Sequence, residues 1–128
     1  MAVAVPVSWG ELIDKITILE LKSDRLRDPA KLENVRRELT LLTAIVDREH
    51  ADHAALKALT GKLRDVNAAL WVIEDDIRDC ERAKDFGAEF IRLARAVYVT
   101  NDQRANLKRE INMLLDSELI EEKSYAAY

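Results

Sequence analysis

The residue types best suited to chemistry or recognition lie on one helical surface that includes Trp71. Leu70, Ile73 and Ile77 form the apolar stripe that this helix needs for packing, whereas Trp71 falls on another face, close to Asp75. A large aromatic side chain among charges, outside the packing stripe, indicates a second packing partner or a binding surface. Aromatic faces beside amide, carboxylate and guanidinium groups suit a sugar, a nucleotide or a protein.

We predict that polar and aromatic side chains from three helices share this surface. Its predicted members are Asp14 and Lys15 of the first helix, Asn67, Trp71, Asp75 and Arg78 of the third, and Arg95, Tyr98, Asn101 and Asp102 of the fourth. The alternative is an interhelical network of ion pairs, in which the Trp71 ring packs beneath the N-terminal arm or the C-terminal tail.

The acidic run beside Trp71 makes Glu74, Asp75 and Asp76 weak candidates for Mg²⁺ binding, because Mg²⁺ takes carboxylate oxygens. A solvated or salt-bridged helix face explains these carboxylates more simply, so we expect no metal and no cofactor, with Mg²⁺ as the alternative. His50 and His53 lack a third ligand that would complete a zinc site. The chain has no glycine-rich phosphate loop and no triad built around a histidine, so no catalytic residue is assigned.

Length and composition predict a single helical domain over residues 1–128. Charged residues make up 34% of the chain and hydrophobic residues 48%, with only 3 Gly and 2 Pro, which favours long amphipathic helices. The net charge of -4, with both signs interspersed, argues against nucleic-acid binding.

Two features predict a cytoplasmic protein with no membrane span. Cys80 is the only cysteine, so no intrachain disulfide forms, and its place in an apolar stripe predicts a buried small side chain. The apolar N-terminal segment is too short for a membrane span and lacks the basic residues of a signal peptide, so we interpret it as an extended arm. Val3, Val5 and Val7 alternate along this arm and predict one edge packed on the helices.

Local signals mark the ends of the helices. Ser8 and Glu11 form a capping box that starts the first helix, and Asp28 followed by proline starts the second. A turn near 50–53, with Asp52 as the cap, separates the second helix from the third, although one long helix with a local stammer is the alternative. Gly61, inside the third helix, predicts a close approach of another helix.

The fourth helix follows a connection at residues 83–87 and carries two polar residues in its apolar stripe. Thr100 and Arg104 interrupt the stripe, so either the helix bends there or a polar layer crosses the core. After Asp116 and Ser117, the tail is expected to hold one short helical turn and to fold back through its tyrosines.

Apolar spacings of three and four residues on four helices predict an all-α fold with near-antiparallel packing. We expect a four-helix antiparallel bundle, or a long helical hairpin that pairs with a second copy, with an extended N-terminal arm and a short C-terminal tail. Such regular spacing often continues between chains, so a homodimer is expected.

Four segments carry a resemblance to a known family: Ser8–Glu20, Leu70–Arg78, Val97–Ala105 and Glu121–Tyr125. They resemble a family of small uncharacterised bacterial proteins, defined only as a domain of unknown function. The resemblance implies an accessory role beside the glycosyltransferases of surface-polysaccharide assembly and supplies no catalytic residues. The outer aromatic and charged surface, together with the missing catalytic machinery, predicts a non-enzymatic, protein-binding helical module. The resemblance implies a glycosyltransferase as its partner. The alternative is a small Mg²⁺-dependent enzyme that acts on a nucleotide or nucleotide sugar.

Overall fold

The computed structural model describes residues 1–128 and contains four α-helices and no strands. The helices are α1 (Trp9–Arg25), α2 (Pro29–His50), α3 (Ala54–Ala83) and α4 (Ala88–Leu114). The all-α class is therefore confirmed, and α2 and α3 are separate helices. None of the four is both long and apolar enough to serve as a bilayer span.

The helix starts follow the sequence signals in two cases and depart from them in one. The Ser8 hydroxyl accepts a hydrogen bond from the Glu11 amide at 3.1 Å, and the Asp28 carboxylate accepts one in the first turn of α2. The prediction of Asp52 as the cap of α3 is wrong, because His53 holds that position and its Nδ1 accepts a hydrogen bond from the first turn. Asp52 lies one residue too early to reach those amides.

The long helices α3 and α4 form a hairpin, and α1 lies against both of them. At 1.5 Å per residue, α3 and α4 are roughly 45 and 40 Å long, whereas α1 is only about 25 Å. The part of the hairpin nearest the α3–α4 connection therefore extends beyond the end of α1. Helix α2 packs mainly on the outer side of α1. The helices thus form a bundle at one end, and α3 and α4 continue as a two-helix hairpin at the other.

The hydrophobic core is centred on α1. Buried side chains from three helices form it, with half-buried neighbours around them: Ile13, Leu56, Leu63 and Ile111, then Trp9, Val46, Leu59, Leu107 and Leu115. Seven of the 17 residues of α1 are buried, compared with one of the 22 residues of α2, which is Val35. Helix α1 is therefore the most enclosed of the four helices.

The N-terminal arm does not pack as its alternation of valines predicts. Val3, Val5 and Val7 are 86%, 67% and 49% exposed, so neither edge of the arm lies on the helices. Alternation shows which side chains share an edge of an extended segment, but it does not show what that edge packs against. Here the helices form the hydrophobic core without any residue of the arm.

The C-terminal tail folds back along α4 but contains no helical turn, so that part of the expectation is wrong. The Tyr128 ring lies 5.2 Å from the Tyr98 ring, centroid to centroid, and its hydroxyl donates to Asp102 Oδ2 at 2.6 Å. Tyr125, in contrast, is 81% exposed. The tail is held by polar contacts rather than by a buried apolar face, which explains why it gains no helical structure.

Close helix approach occurs at Gly10 and not at Gly61, so the expectation for Gly61 is wrong. A Cβ atom at Gly10 would overlap the Lys108 carbonyl oxygen and lie 2.9 Å from Asn112 Oδ1. A Cβ atom at Gly61 would meet nothing within 4 Å. Glycine is thus required at the contact of α1 with α4, whereas in the middle of α3 the fold does not require it.

Replacing each of these two glycines with alanine is expected to change the free energy of unfolding in opposite directions. Gly61→Ala should stabilise the fold by about 0.5–1 kcal/mol, because alanine has the higher helix propensity and the new methyl meets open space. Gly10→Ala should destabilise it by about 2 kcal/mol or more, because the methyl overlaps backbone atoms of α4. Urea unfolding followed by circular dichroism measures both, and equal effects of the two substitutions would contradict this account.

Candidate functional site

A buried ion pair joins α1 to α4 in the middle of the structure. Asp14 is 1% exposed, and both of its carboxylate oxygens accept hydrogen bonds from Arg104. Arg104 Nε donates to Oδ1 at 2.9 Å, and Nη2 donates to Oδ2 at 2.5 Å. These hydrogen bonds raise the pKa of Arg104 further above its ordinary value, against an opposing effect of burial. The polar layer predicted from Arg104 is therefore present as an ion pair, and α4 stays helical through it.

Asn67 extends this network to α3. Its Nδ2 donates to Asp14 Oδ1 and to Thr17 Oγ1, both at 2.9 Å, and the Thr17 hydroxyl donates to the Asp14 carbonyl at 2.7 Å. Asn67 is 5% exposed and Thr17 is 0% exposed. Three helices are thus tied together by one polar cluster in which each buried group has a partner, as buried polar groups require.

The end of α4 satisfies the free amides at the start of α1. The Gly10 amide donates to Asn112 Oδ1 at 2.6 Å, and the Trp9 amide donates to Ser117 Oγ at 3.2 Å. Together with the Ser8 cap, these contacts occupy three of the amides that a helix start leaves without partners. Asn112 is 2% exposed, so its contact with Gly10 is made away from water.

Next to this cap, Lys108 lies between two carboxylates. Its Nζ is 2.8 Å from Glu11 and 2.8 Å from Glu121 of the tail. Burial lowers the pKa of Lys108, but its hydrogen bonds to the two carboxylates outweigh burial and raise the pKa. The hydrogen bond from Lys108 lowers the pKa of Glu121 in turn. The tail is thereby fixed to the same end of the structure.

An open groove lies above the buried network, between α1, α3 and α4. Its volume is about 390 Å³, and apolar, amide and charged side chains line it: Ile18, Leu21, Asn67, Leu70, Trp71, Glu74, Asp75, Asn101 and Arg104. Asn67 and Arg104 belong to both the groove and the network. These two side chains form the floor of the groove, and hydrogen bonds to Asp14 hold them in place.

Trp71 forms one wall of the groove and is half-buried. The Arg25 guanidinium lies 5.4 Å from the centre of the indole ring, within the range of a cation–π interaction. Neither the exposed arm nor the tail, which runs along α4, covers this ring as the alternative interpretation required. The ring therefore offers an aromatic surface beside Asn101 and two carboxylates.

The structure brings together some of the predicted surface residues and separates others. Asn67, Trp71, Asp75 and Asn101 line the groove, and Asp14 lies beneath its floor. Tyr98 and Asp102 hold Tyr128 of the tail. The remaining three lie elsewhere: Lys15 pairs with Glu38 of α2 at 2.7 Å, Arg78 pairs with Glu74 on the surface of α3, and Arg95 is exposed on α4.

The weak metal candidates do not converge on one point. Glu74 and Asp75 line the groove, whereas Asp76 is exposed outside it. Nowhere in the chain do three His, Cys, Asp or Glu side chains come close enough together to hold a metal ion. His50 instead packs edge-to-face against Trp9, with ring centroids 4.8 Å apart.

Cys80 is half-buried on α3 rather than fully buried. Partial burial, and after it the neighbouring carboxylates of Asp85 and Glu89, raise the pKa of the thiol. A raised pKa keeps the sulfur protonated and weakly nucleophilic.

Several residues of the site were not assigned to it from the sequence. Arg104 was recognised only as a polar interruption of an apolar stripe, and Thr17, Asn112 and Ser117 carried no signal. The one available signal was Arg104 itself, because a charged residue in an apolar stripe requires a buried partner of opposite charge.

The fold and the site together define the class of protein. It is a helical protein in which a buried polar network of three helices lies beneath an open groove. The model of a family of unknown function (DUF6165) matches residues 3–128. The chain belongs to this family. No curated protein and no solved structure matches the chain.

Removing the charge of Asp14 is expected to destabilise the protein far more than removing that of its neighbour Lys15. Asp14→Asn should cost about 2–4 kcal/mol, because it leaves Arg104 without a buried counter-charge. Lys15→Met breaks an exposed pair and should cost less than about 1 kcal/mol. Urea unfolding measures both, and a double-mutant cycle of Asp14→Asn with Arg104→Met should give a coupling above about 1 kcal/mol. Additive single effects would show that the pair does not act as a unit.

Proposed function

We propose that this protein is a non-enzymatic helical module that docks onto a protein partner through the groove between α1, α3 and α4. The observation that supports the proposal is the position of Trp71, a half-exposed aromatic side chain on the wall of an open groove. Tryptophan, tyrosine and arginine are the residue types on which protein interfaces most often depend. Here Trp71 and Arg104 both line the groove, and the Arg25 guanidinium lies against the Trp71 ring.

The fixed floor of the groove adds to this argument. Asn67 and Arg104 are held by the buried Asp14 carboxylate, so a partner does not have to order them when it binds. Both signs of charge lie near Trp71, with Asp75 in the groove lining and the Arg25 guanidinium against the indole ring. This pattern suits a partner segment with its own polar rim around an apolar or aromatic anchor.

The partner class that we propose is a glycosyltransferase of surface-polysaccharide assembly. This part of the proposal rests on the family resemblance alone and goes beyond the family membership. It places the module in the cytoplasm, where a lone cysteine such as Cys80 remains reduced.

We further propose that the module is a homodimer in which a second copy covers the outer side of α2. A compact monomer of this mass exposes about 6,900 Å², whereas this chain exposes 8860 Å². The extended arm and tail contribute part of that difference. Helix α2 contributes as well, because Leu41 is 58% exposed and Ile45 lies one turn further on the same side.

A small Mg²⁺-dependent enzyme is the second candidate. Glu74 and Asp75 both line the groove that contains Trp71 and Asn101. Mg²⁺ is often held by one or two carboxylates together with the phosphates of a substrate, so a pair of carboxylates is sufficient for a nucleotide-sugar site.

Trp71→Ala is expected to weaken binding of the glycosyltransferase from the same organism while leaving the fold intact. Loss of a central interface tryptophan costs about 2 kcal/mol or more, which corresponds to roughly 30-fold in affinity. Calorimetric titration measures this, circular dichroism checks the helicity, and Phe86→Ala, an exposed aromatic change outside the groove, serves as the control. Unchanged affinity would reject the docking surface. A melting shift with Mg²⁺ and a nucleotide sugar, absent in Glu74→Gln, would favour the enzyme.

The wild-type chain is expected to sediment at twice its mass of 14.6 kDa. Leu41→Glu places a charge in the proposed α2 interface and should shift the protein toward the monomer, because the charge would have to be buried without a partner. Glu33→Gln, on the exposed surface of α2, is the control. A wild-type protein that stays monomeric at high concentration would exclude this dimer.

A further inference from the structure

The Trp71 groove exposes polar groups that have no partner within the chain. The Asn101 amide and the Asp75 carboxylate line the groove, make no hydrogen bond to other side chains and stay open to water. Arg104 uses its Nε and Nη2 to hold Asp14, which leaves Nη1 free in a side chain that is 30% exposed. A donor, an acceptor and an amide that is both are therefore available to a ligand.

The charges of the groove disfavour an anionic ligand. Glu74 pairs with Arg78, and Arg104 pairs with Asp14, so two of the three charged side chains in the lining are already compensated. The third, Asp75, is itself a carboxylate. A phosphate or carboxylate would therefore lose its hydration without gaining a free cation, and Asp75 would repel it.

Trp71 gives the groove a flat apolar wall, which Ile18 and Leu21 of α1 extend. The Arg25 guanidinium lies 5.4 Å from the centre of the indole ring but does not line the groove, so it contacts the ring from outside. Trp71 and Asp75 are one helical turn apart, so this positive charge lies near Asp75 and disfavours a cationic ligand. The ligand class that remains is neutral, with one apolar face and a polar rim.

We infer that the groove binds a neutral saccharide. A pyranose ring has an apolar C–H face that stacks on the Trp71 indole, and its hydroxyls both donate and accept hydrogen bonds. These hydroxyls accept from Arg104 Nη1, donate to Asp75 and do both with Asn101. The volume of about 390 Å³ lies within the range typical of small-molecule sites. Because Asp14 already holds Arg104, a bound sugar does not have to order that side chain.

This inference uses the groove of the proposed function but needs no protein partner. A saccharide stacked on Trp71 would occupy the wall that the partner requires, so sugar and partner would exclude each other. That consequence alone rests on the proposed function.

Maltose, cellobiose and lactose are the probes, and they are titrated into ¹⁵N-labelled full-length protein. The chain has two tryptophans, so each indole N–H gives its own signal. At least one disaccharide is expected to shift the Trp71 indole and the Asn101 side-chain amide. The Trp9 indole, which packs against His50, should not shift. Glucose 6-phosphate should bind no more tightly than glucose, because its phosphate meets no free cation.

Asn101→Ala and Asn106→Ala form a matched pair of variants on α4. Neither amide bonds to another side chain, but Asn106 is exposed and lies outside the groove. Asn101→Ala should weaken binding about three- to tenfold, the effect of losing hydrogen bonds, whereas Asn106→Ala should leave it unchanged. Trp71→Ala should weaken binding about tenfold by removing the stacking surface. Circular dichroism checks that each variant keeps its helicity.

The inference would be overturned if neither Trp71 nor Asn101 shifted at about 50 mM of every disaccharide, far above the roughly 1 mM Kd of a weak specific site. Equal effects of Asn101→Ala and Asn106→Ala, or tighter binding of glucose 6-phosphate than of glucose, would overturn it as well. These titrations contain no partner protein, so their failure leaves the docking proposal standing. Unchanged docking by Trp71→Ala would in turn leave sugar binding standing.

Discussion

The rest of the structure depends on the buried carboxylate of Asp14 and its donors from two other helices. A carboxylate that leaves water loses several kcal/mol of hydration, which is recovered only where donors meet both oxygens. Arg104 and Asn67 do this from α4 and α3. Sliding α4 by one turn, about 5.4 Å, would take Arg104 out of reach and leave the charge unpaired. The network therefore contributes less to net stability than to fixing how three helices lie against each other.

The start of α1 imposes a second constraint on the same two helices. Its first amides have partners on Asn112 and Ser117, which requires α4 to approach more closely than a side chain at position 10 would permit. One turn later on α1, Asp14 meets Arg104. These two polar contacts lie one turn apart along α1. Together they fix the distance between α1 and α4 and the register of the two helices. Because α1 meets its neighbours on most sides, the surfaces left for recognition lie on the helices around it.

The sequence predicted the features that depend on neighbouring residues. It missed the features that depend on contacts between residues far apart in the chain. Helix spacing and the Ser8 and Asp28 caps follow from residues within a few turns of each other. Arg104 was visible as a charge in an apolar stripe, but its partner lies 90 residues away. Local signals did not show that the close contact falls at Gly10 rather than at Gly61, because the backbone that excludes a methyl at Gly10 belongs to α4. Helical spacing did bring Asn67, Trp71 and Asp75 to one groove, while Lys15, one residue from Asp14, points toward α2.

The groove lies directly above the network and shares Asn67 and Arg104 with it. Both oxygens of Asp14 accept hydrogen bonds from Arg104, and this contact helps to order three helices. Of the carboxylates that line the groove, Glu74 is paired with Arg78 on its own helix. What the network supplies to the groove is rigidity: Asn67 and Arg104 are held in place before anything binds. Preorganised polar groups beside a half-exposed indole are what a docking surface needs, because little conformational freedom remains to be lost when a partner arrives.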